Sequence, residues 1–216
     1  MDAQIDERAE RDAIIAALLP NVPFDGWSAA ALRAAAQQQG IDEADVATLF
    51  PRGPIDAVVW FSHWADRLTM ETLAAQPVEG LRLSERVALG VRTRLALLAP
   101  HREAVRRAAT LLSLPIHAPL GLRLLYDTVD ALWYAAGDAA TDFSFYTKRG
   151  LLAAVYAATT FYWLDDRSED GSATEAFLNR RLAEAMALPR LRARAQRAFD
   201  ALPNPFRLWR MGRPRF

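Results

Sequence analysis

Almost every stretch of this chain repeats its apolar residues at three- and four-residue intervals, and none alternates apolar with polar residues between hairpin turns. That pattern confines the fold to helices packed on helices. It predicts helices over 5–19, 26–39, 42–50, 54–75, 83–98, 101–113, 119–136, 142–164, 172–187 and 189–202, so an all-α protein of nine or ten helices. Caps and breakers mark several ends. Asp25-Gly26 and Ser28 open the second helix and Gly40 closes it; Pro51 and Gly53 part the third from the fourth; Gly137-Asp138 ends the seventh. The longest apolar run, LLAAVYAATTFYWL at 151–164, is shorter than the roughly 20 residues of a bilayer span, and it reads as a buried helix.

The 216 residues divide into an N-terminal module, 1–53, a larger helical domain, 54–187, and a basic amphipathic segment, 188–216. The net charge of zero hides a gradient. Residues 1–52 hold nine acids and four bases, whereas 188–216 hold eight arginines and one acid, Asp200. The acidic head argues against nucleic acid at that end, and the basic tail argues for an anionic surface. The absence of cysteine excludes disulfides and thiolate metal sites.

The stretch DGWSAAALRAAAQQQGIDEADVATLFPRG has helix-turn-helix spacing, followed by a long helix from Pro54. This layout resembles the TetR regulators, whose small N-terminal module precedes a helical domain with a ligand cavity. A DNA reader places basic and polar side chains on the second helix of that module. Here the helix carries Asp42, Glu43 and Asp45, which a polyanion repels, so the module reads as vestigial and no nucleic-acid partner is expected.

Catalytic patterns are missing. His63, His101 and His117 share no metal-ligand spacing, and there is no Gly-rich phosphate loop and no nucleophile elbow. Asp165 and Asp166 are neighbours in sequence, so on a helix they point about 100° apart; they read as a helix-end cap. His63, between Trp60 and Trp64, reads as a packed or hydrogen-bonded histidine. The expectation is a protein that is not an enzyme and uses no metal or cofactor.

Two stretches carry a family resemblance. NVPFDGWSAAAL, with LFPRG downstream, and DALWYAAGDAATDFSFYTKR are similar to the opening and the signature of the ninth coenzyme Q biosynthesis protein, the Coq-nine family. The order and spacing fit from about Arg8 to Leu202. Phe145 stands where that signature has tryptophan, and Ala140 where it has a small hydroxyl residue. The resemblance implies a TetR-like fold without DNA binding and an apolar cavity for phospholipids and isoprenoid quinone intermediates. It implies a role as accessory to the di-iron demethoxyubiquinone hydroxylase. A homodimer is expected. The acidic, polar N-terminus is neither a secretory signal nor an arginine-rich transit peptide. It suggests a bacterial member, peripheral on the cytoplasmic face of the inner membrane. The alternative reading is a TetR-type ligand-responsive transcription regulator.

Three groups of residues follow. On a wheel of the helix from Asp142, the residues Thr147, Leu151, Ala154, Val155, Ala158 and Tyr162 are expected to face inward. Asp142, Phe145, Tyr146 and Arg149 are expected to face out and bind the hydroxylase, because an aromatic–arginine cluster suits an interface. A local salt bridge of Arg149 is the simpler reading of the same pattern. The cavity wall is expected from Leu112, Leu124, Leu125, Val129, Trp133, Leu151, Val155 and Tyr162, residues that would equally suit a packed core. In the tail, Phe206, Arg207, Leu208, Trp209, Arg210 and Met211 interleave rings, apolar chains and guanidinium groups as a membrane interface requires.

Overall fold

Helices begin and end where the sequence places its caps. Ser28 Oγ accepts a hydrogen bond from the Ala31 amide at 3.1 Å, capping the helix Ala29–Gln38. That helix closes on Gly40, whose φ of 72° lies in the left-handed region that only glycine adopts without strain. The Gly40 and Ile41 amides then reach back to the carbonyls of Gln37 and Ala36. Gly53, with φ of 63°, precedes Pro54 at the first position of the longest helix of the N-terminal half.

The computed structural model describes the backbone of residues 2–137 and 143–200 and the side chains of residues 7–137 and 147–187. Its helices are α1 (Asp2–Leu18), α2 (Val22–Asp25), α3 (Ala29–Gln38), α4 (Glu43–Leu49), α5 (Pro54–Ala74), α6 (Leu83–Leu98), α7 (Arg102–Leu112), α8 (Ala118–Ala135), α9 (Phe143–Asp165) and α10 (Ser172–Asp200). A 3-10 turn, Ala99–His101, joins α6 to α7, and no strand occurs among the described residues. The all-α expectation holds. Two elements differ from it. The short α2 carries too few residues to show a period. The expected break before Pro189 is absent, and α10 runs through it as one helix. Proline removes one helical hydrogen bond, but the alanine-, leucine- and arginine-rich turns on either side are good helix formers.

Helix α5 is the spine. It buries Ala57, Val58, Phe61, Ala65, Thr69 and Leu73 along one side. On the N-terminal side, Ile14, Ile15 and Leu18 of α1 pack with Leu32 and Ala36 of α3 and Val46 and Leu49 of α4, and this core is continuous with that of the larger domain. Polar bonds tie the two parts together. Asp12 accepts from Trp60 Nε1 at 2.7 Å, while Arg11 lies over the Trp60 ring at 4.8 Å. Trp27 Nε1 donates to the Ala104 carbonyl at 3.0 Å, and Arg107 to the Pro23 carbonyl at 2.7 Å.

The expected cap at Asp165-Asp166 is present. Arg106 donates to Asp165 Oδ1 at 3.0 Å and to the Leu164 carbonyl, so α7 guanidinium groups close the C-terminal end of α9. Asp166 is buried and accepts from the Ser168 amide at 2.8 Å and the Thr174 amide at 2.9 Å. The Ser168 and Thr174 hydroxyls hold this carboxyl well below the usual carboxylate range.

Candidate functional site

Between α5, α6, α7, α8 and α9 lies a cavity of about 450 Å³. Small side chains leave it open: Ala65, Ala108, Ala109, Ala118 and Ala157 line it, while Gly121 lets α8 pass close to Leu112, 3.3 Å from where a Cβ would stand. The inner wall is core, with Val58 at 1% exposure, Phe61 at 4% and Leu98 at 2%, and the outer wall opens at Leu122, 68% exposed, and Phe161, 60% exposed. A sealed apolar void of 450 Å³ would cost roughly 10 kcal/mol at about 24 cal/mol per Å³. That is comparable with the whole stability of a domain. The space is not sealed: it opens past Leu122 and Phe161, so that cost does not arise, and its apolar lining suits an apolar occupant.

One stretch of the inner wall is polar. Arg94, 5% exposed, donates from Nε to Asp66 Oδ1 at 2.9 Å and from Nη2 to the Ser62 carbonyl and Thr128 Oγ1, both at 3.3 Å. Thr128 Oγ1 in turn donates to Asp66 at 3.0 Å. The guanidinium lies over the Tyr156 ring at 5.6 Å. Burial disfavours the charge on Arg94, but Tyr156 and Asp66 together hold its pKa above the usual arginine value. Next to the cavity, the Trp64 and Phe61 rings meet His101, whose burial lowers its pKa and favours the neutral imidazole.

A second cavity of about 250 Å³ lies between α6, α8, α9 and α10, lined by Val87, Leu152 and Leu182. Lys148 stands at its edge, 5.9 Å from the Trp133 ring centre. Among the described residues no cluster of three or more histidine, aspartate or glutamate side chains could hold a metal. His63 sits half exposed, 3.7 Å from Asp127.

The structure distributes the expected cavity wall over two spaces. Leu112, Leu124 and Leu125 line the larger cavity; Trp133, Leu151 and Val155 line the smaller. Val129 is core, fully buried. Tyr162 is 38% exposed and stacks on Phe177 with ring centres 4.4 Å apart, so it does not face inward as expected. Thr147 and Ala154 are also exposed.

The inward face of α9 is therefore a different one, formed by Arg149, Leu152, Tyr156, Thr159 and Trp163. Arg149 was expected on the outer face. It is instead 5% exposed and pairs with Asp130 of α8 at 2.6 Å, so it is not an exposed contact. The error has a physical cause: a guanidinium can be buried when a carboxylate on the neighbouring helix pairs with it, and Asp130 supplies that partner. Asp142 and the segment Phe206, Arg207, Leu208, Trp209, Arg210 and Met211 lie outside the described residues. Phe145 and Tyr146 belong to α9, and their side chains lie outside them too.

Sequence reasoning missed the Arg94–Asp66–Thr128 network. The signal was present: Val87, Val91, Arg94 and Leu98 recur at helical spacing, so the arginine sits within the buried stripe of α6.

A family model described as COQ9 matches residues 118–189. The chain is 36% identical over 180 residues to the ubiquinone biosynthesis protein COQ9, mitochondrial, of Homo sapiens, covering 80% of this chain and 56% of that one. It is 32% identical over 190 residues to the protein of the same name from Drosophila melanogaster, covering 86% of this chain and 57% of that one. The chain thus spans a little over half the length of these two relatives. Among solved structures, the TetR transcriptional regulator from Nitrosomonas europaea ATCC 19718 superposes with a TM-score of 0.65 at 26% identity, covering 82% of this chain and 97% of that one. The TetR-like fold is thereby established.

Proposed function

Because this chain belongs to the COQ9 family, we propose that it serves ubiquinone biosynthesis as a lipid-binding accessory protein. It covers the tail of isoprenoid quinone intermediates and presents their head groups to the di-iron demethoxyubiquinone hydroxylase; the cavity also accepts phospholipid chains. The observation that carries this reading is the 450 Å³ apolar cavity lined by alanines and open between Leu122 and Phe161. A tail that gains about 0.8 kcal/mol per buried CH₂ does not leave a bilayer without such cover. The protein acts at the membrane face, held by its basic C-terminal segment, and as a homodimer. No helix among the described residues is long and apolar enough to cross a membrane, which fits a peripheral role. The hydroxylase contact falls to the Tyr146 side of the expected cluster, without Arg149 and the face it shares. The chemistry belongs to the hydroxylase, and this chain contributes no catalytic group.

Thermal unfolding with a short-chain isoprenoid quinone tests the proposal. At 100 times the dissociation constant, binding stabilises by about 2.7 kcal/mol, a rise of about 5–11 °C for a chain of this size. Ala108→Phe, which fills the cavity, should abolish the rise. No shift in either protein would refute cavity binding.

The fold match to a TetR regulator favours a second reading, a ligand-responsive transcription regulator. Against it, the outer face of α4 and its cap presents Asp42, Glu43 and Asp45, with Arg33 already paired to Glu43 at 3.6 Å. An operator-binding screen at low salt separates the two.

A further inference from the structure

Resting on the lipid-binding reading, we propose that the loop between α7 and α8, with Leu114, Pro115 and Ile116 at its tip, is a docking edge for a lipid surface. It is separate from the basic C-terminal segment, and the large cavity loads through it.

The tip is apolar, exposed and held in place. Residues 113–116 are all exposed, three of the four are apolar, and Ile116 is 81% exposed. A run of apolar side chains kept in water marks a surface with a partner. The amides of Ser113, Leu114, His117 and Ala118 bond to carbonyls of Ala109, Leu111 and Leu114, and Pro115 has no amide to satisfy. Ser113 Oγ donates to the Thr110 carbonyl at 2.7 Å. Gly121 brings α8 close against Leu112, which fixes the two ends of the loop together. The apolar side chains therefore project from a turn whose amides are bonded without water, as entry into a lipid interface requires.

Position and charge say what covers this tip. Leu112, Ser113 and Ala118 flank it and line the cavity, and Leu122, at the mouth, lies one turn beyond Ala118. A chain leaving a bilayer at this edge enters the cavity without crossing water. From Ala104 to Tyr126 there is no aspartate or glutamate, but there are Arg106, Arg107, His117 and Arg123. Arg106 and Arg107 pair with Glu103, and Arg106 also with Asp165. The Arg123 side chain is 79% exposed, with Asp127 3.9 Å away. A stretch without acids meets anionic head groups without repulsion, and an arginine stem lies along apolar surface while its guanidinium reaches phosphate. A protein partner fits less well. Three projecting apolar side chains cover far less than the roughly 800 Å² per partner of a stable protein interface, whereas a lipid surface needs no matching shape.

The chain contains no cysteine, so Ile116→Cys labelled with an environment-sensitive fluorophore reports this site alone. Ala30→Cys, exposed on α3, is the control. When the full chain meets phosphatidylcholine–cardiolipin vesicles, the label at 116 should shift to the blue and be quenched by brominated acyl chains, and the label at 30 should do neither. Ile116→Glu should slow uptake of a short isoprenoid quinone from these vesicles about tenfold, the low end of what burying one isoleucine side chain is worth. It should leave uptake from cyclodextrin and the melting temperature unchanged, and Ile116→Trp should keep the wild-type rate. A label at 116 that stays in water while the protein sediments with vesicles would overturn the docking edge and leave the lipid reading standing. So would unchanged vesicle uptake by Ile116→Glu, or a blue shift that grows with protein concentration in the absence of vesicles, which would assign the tip to a second copy. If the wild-type protein takes up quinone from neither source, the lipid reading falls, and the loading edge with it.

Discussion

Removing Arg94 should cost more than any surface substitution in this protein, and removing its partner as well should cost less. Arg94 is 5% exposed and the Asp66 side chain 13% exposed, with 2.9 Å between Nε and Oδ1. Arg94→Met keeps the apolar volume but leaves the Asp66 carboxylate with Thr128 as its remaining donor. Breaking a buried pair on one side costs about 3–5 kcal/mol, because the surviving charge is neither hydrated nor paired. Asp66→Asn leaves the guanidinium in the same position and should cost a similar amount. The double variant buries no charge, so it should be more stable than either single variant, with a coupling of about 2–3 kcal/mol. Urea unfolding followed by circular dichroism gives all four stabilities. If Arg94→Met costs under about 1 kcal/mol, as a surface pair does, Asp66 reaches water and the network is not the closed inner wall described above. Additive single costs would refute the coupling.

Other outcomes follow from the same geometry. Asp166, held below the unfolded carboxylate value of about 3.9, stabilises the fold above that pH, and the contribution is lost as pH falls below it; Asp166→Asn should lower stability at pH 7 by about 1–3 kcal/mol and flatten the acid limb of unfolding against pH. His101, with its pKa lowered by burial, stabilises above about pH 6.5 and loses that contribution as pH falls further, so His101→Phe should reduce the slope of stability between pH 7 and 5. Arg149→Met should lower stability by about 1–3 kcal/mol through its bond to Asp130, whereas Tyr146→Ala should weaken hydroxylase capture in a pull-down and leave the dichroism spectrum unchanged. Deleting residues 203–216 should reduce co-sedimentation with cardiolipin vesicles at about 0.1 M salt and leave the melting temperature nearly unchanged.

Helix boundaries were legible wherever a backbone constraint marked them. Gly53-Pro54 starts α5, and the Leu83–Leu98 span of α6 coincides with the predicted one. The cavity was only half legible, because it is made by what Ala65, Ala108 and Ala157 lack; a sequence shows small residues on a helix without showing what stands opposite. The orientation of α9 was misread for a related reason. Grouping Arg149 with exposed residues assumes that charge means solvent, and the carboxylate that makes burial tolerable, Asp130, is nineteen residues away on another helix. Arg94 shows the same effect in α6, where its register in the apolar stripe was the better guide than its charge.

Mass spectrometry of lipids extracted from the purified full chain shows what occupies the cavity. Isoprenoid quinones or their biosynthetic precursors, with or without phospholipid, should be present at a substantial fraction of one per protein molecule and be lost in Ala108→Phe. A wild-type preparation free of lipid that also takes up no added quinone would contradict lipid binding.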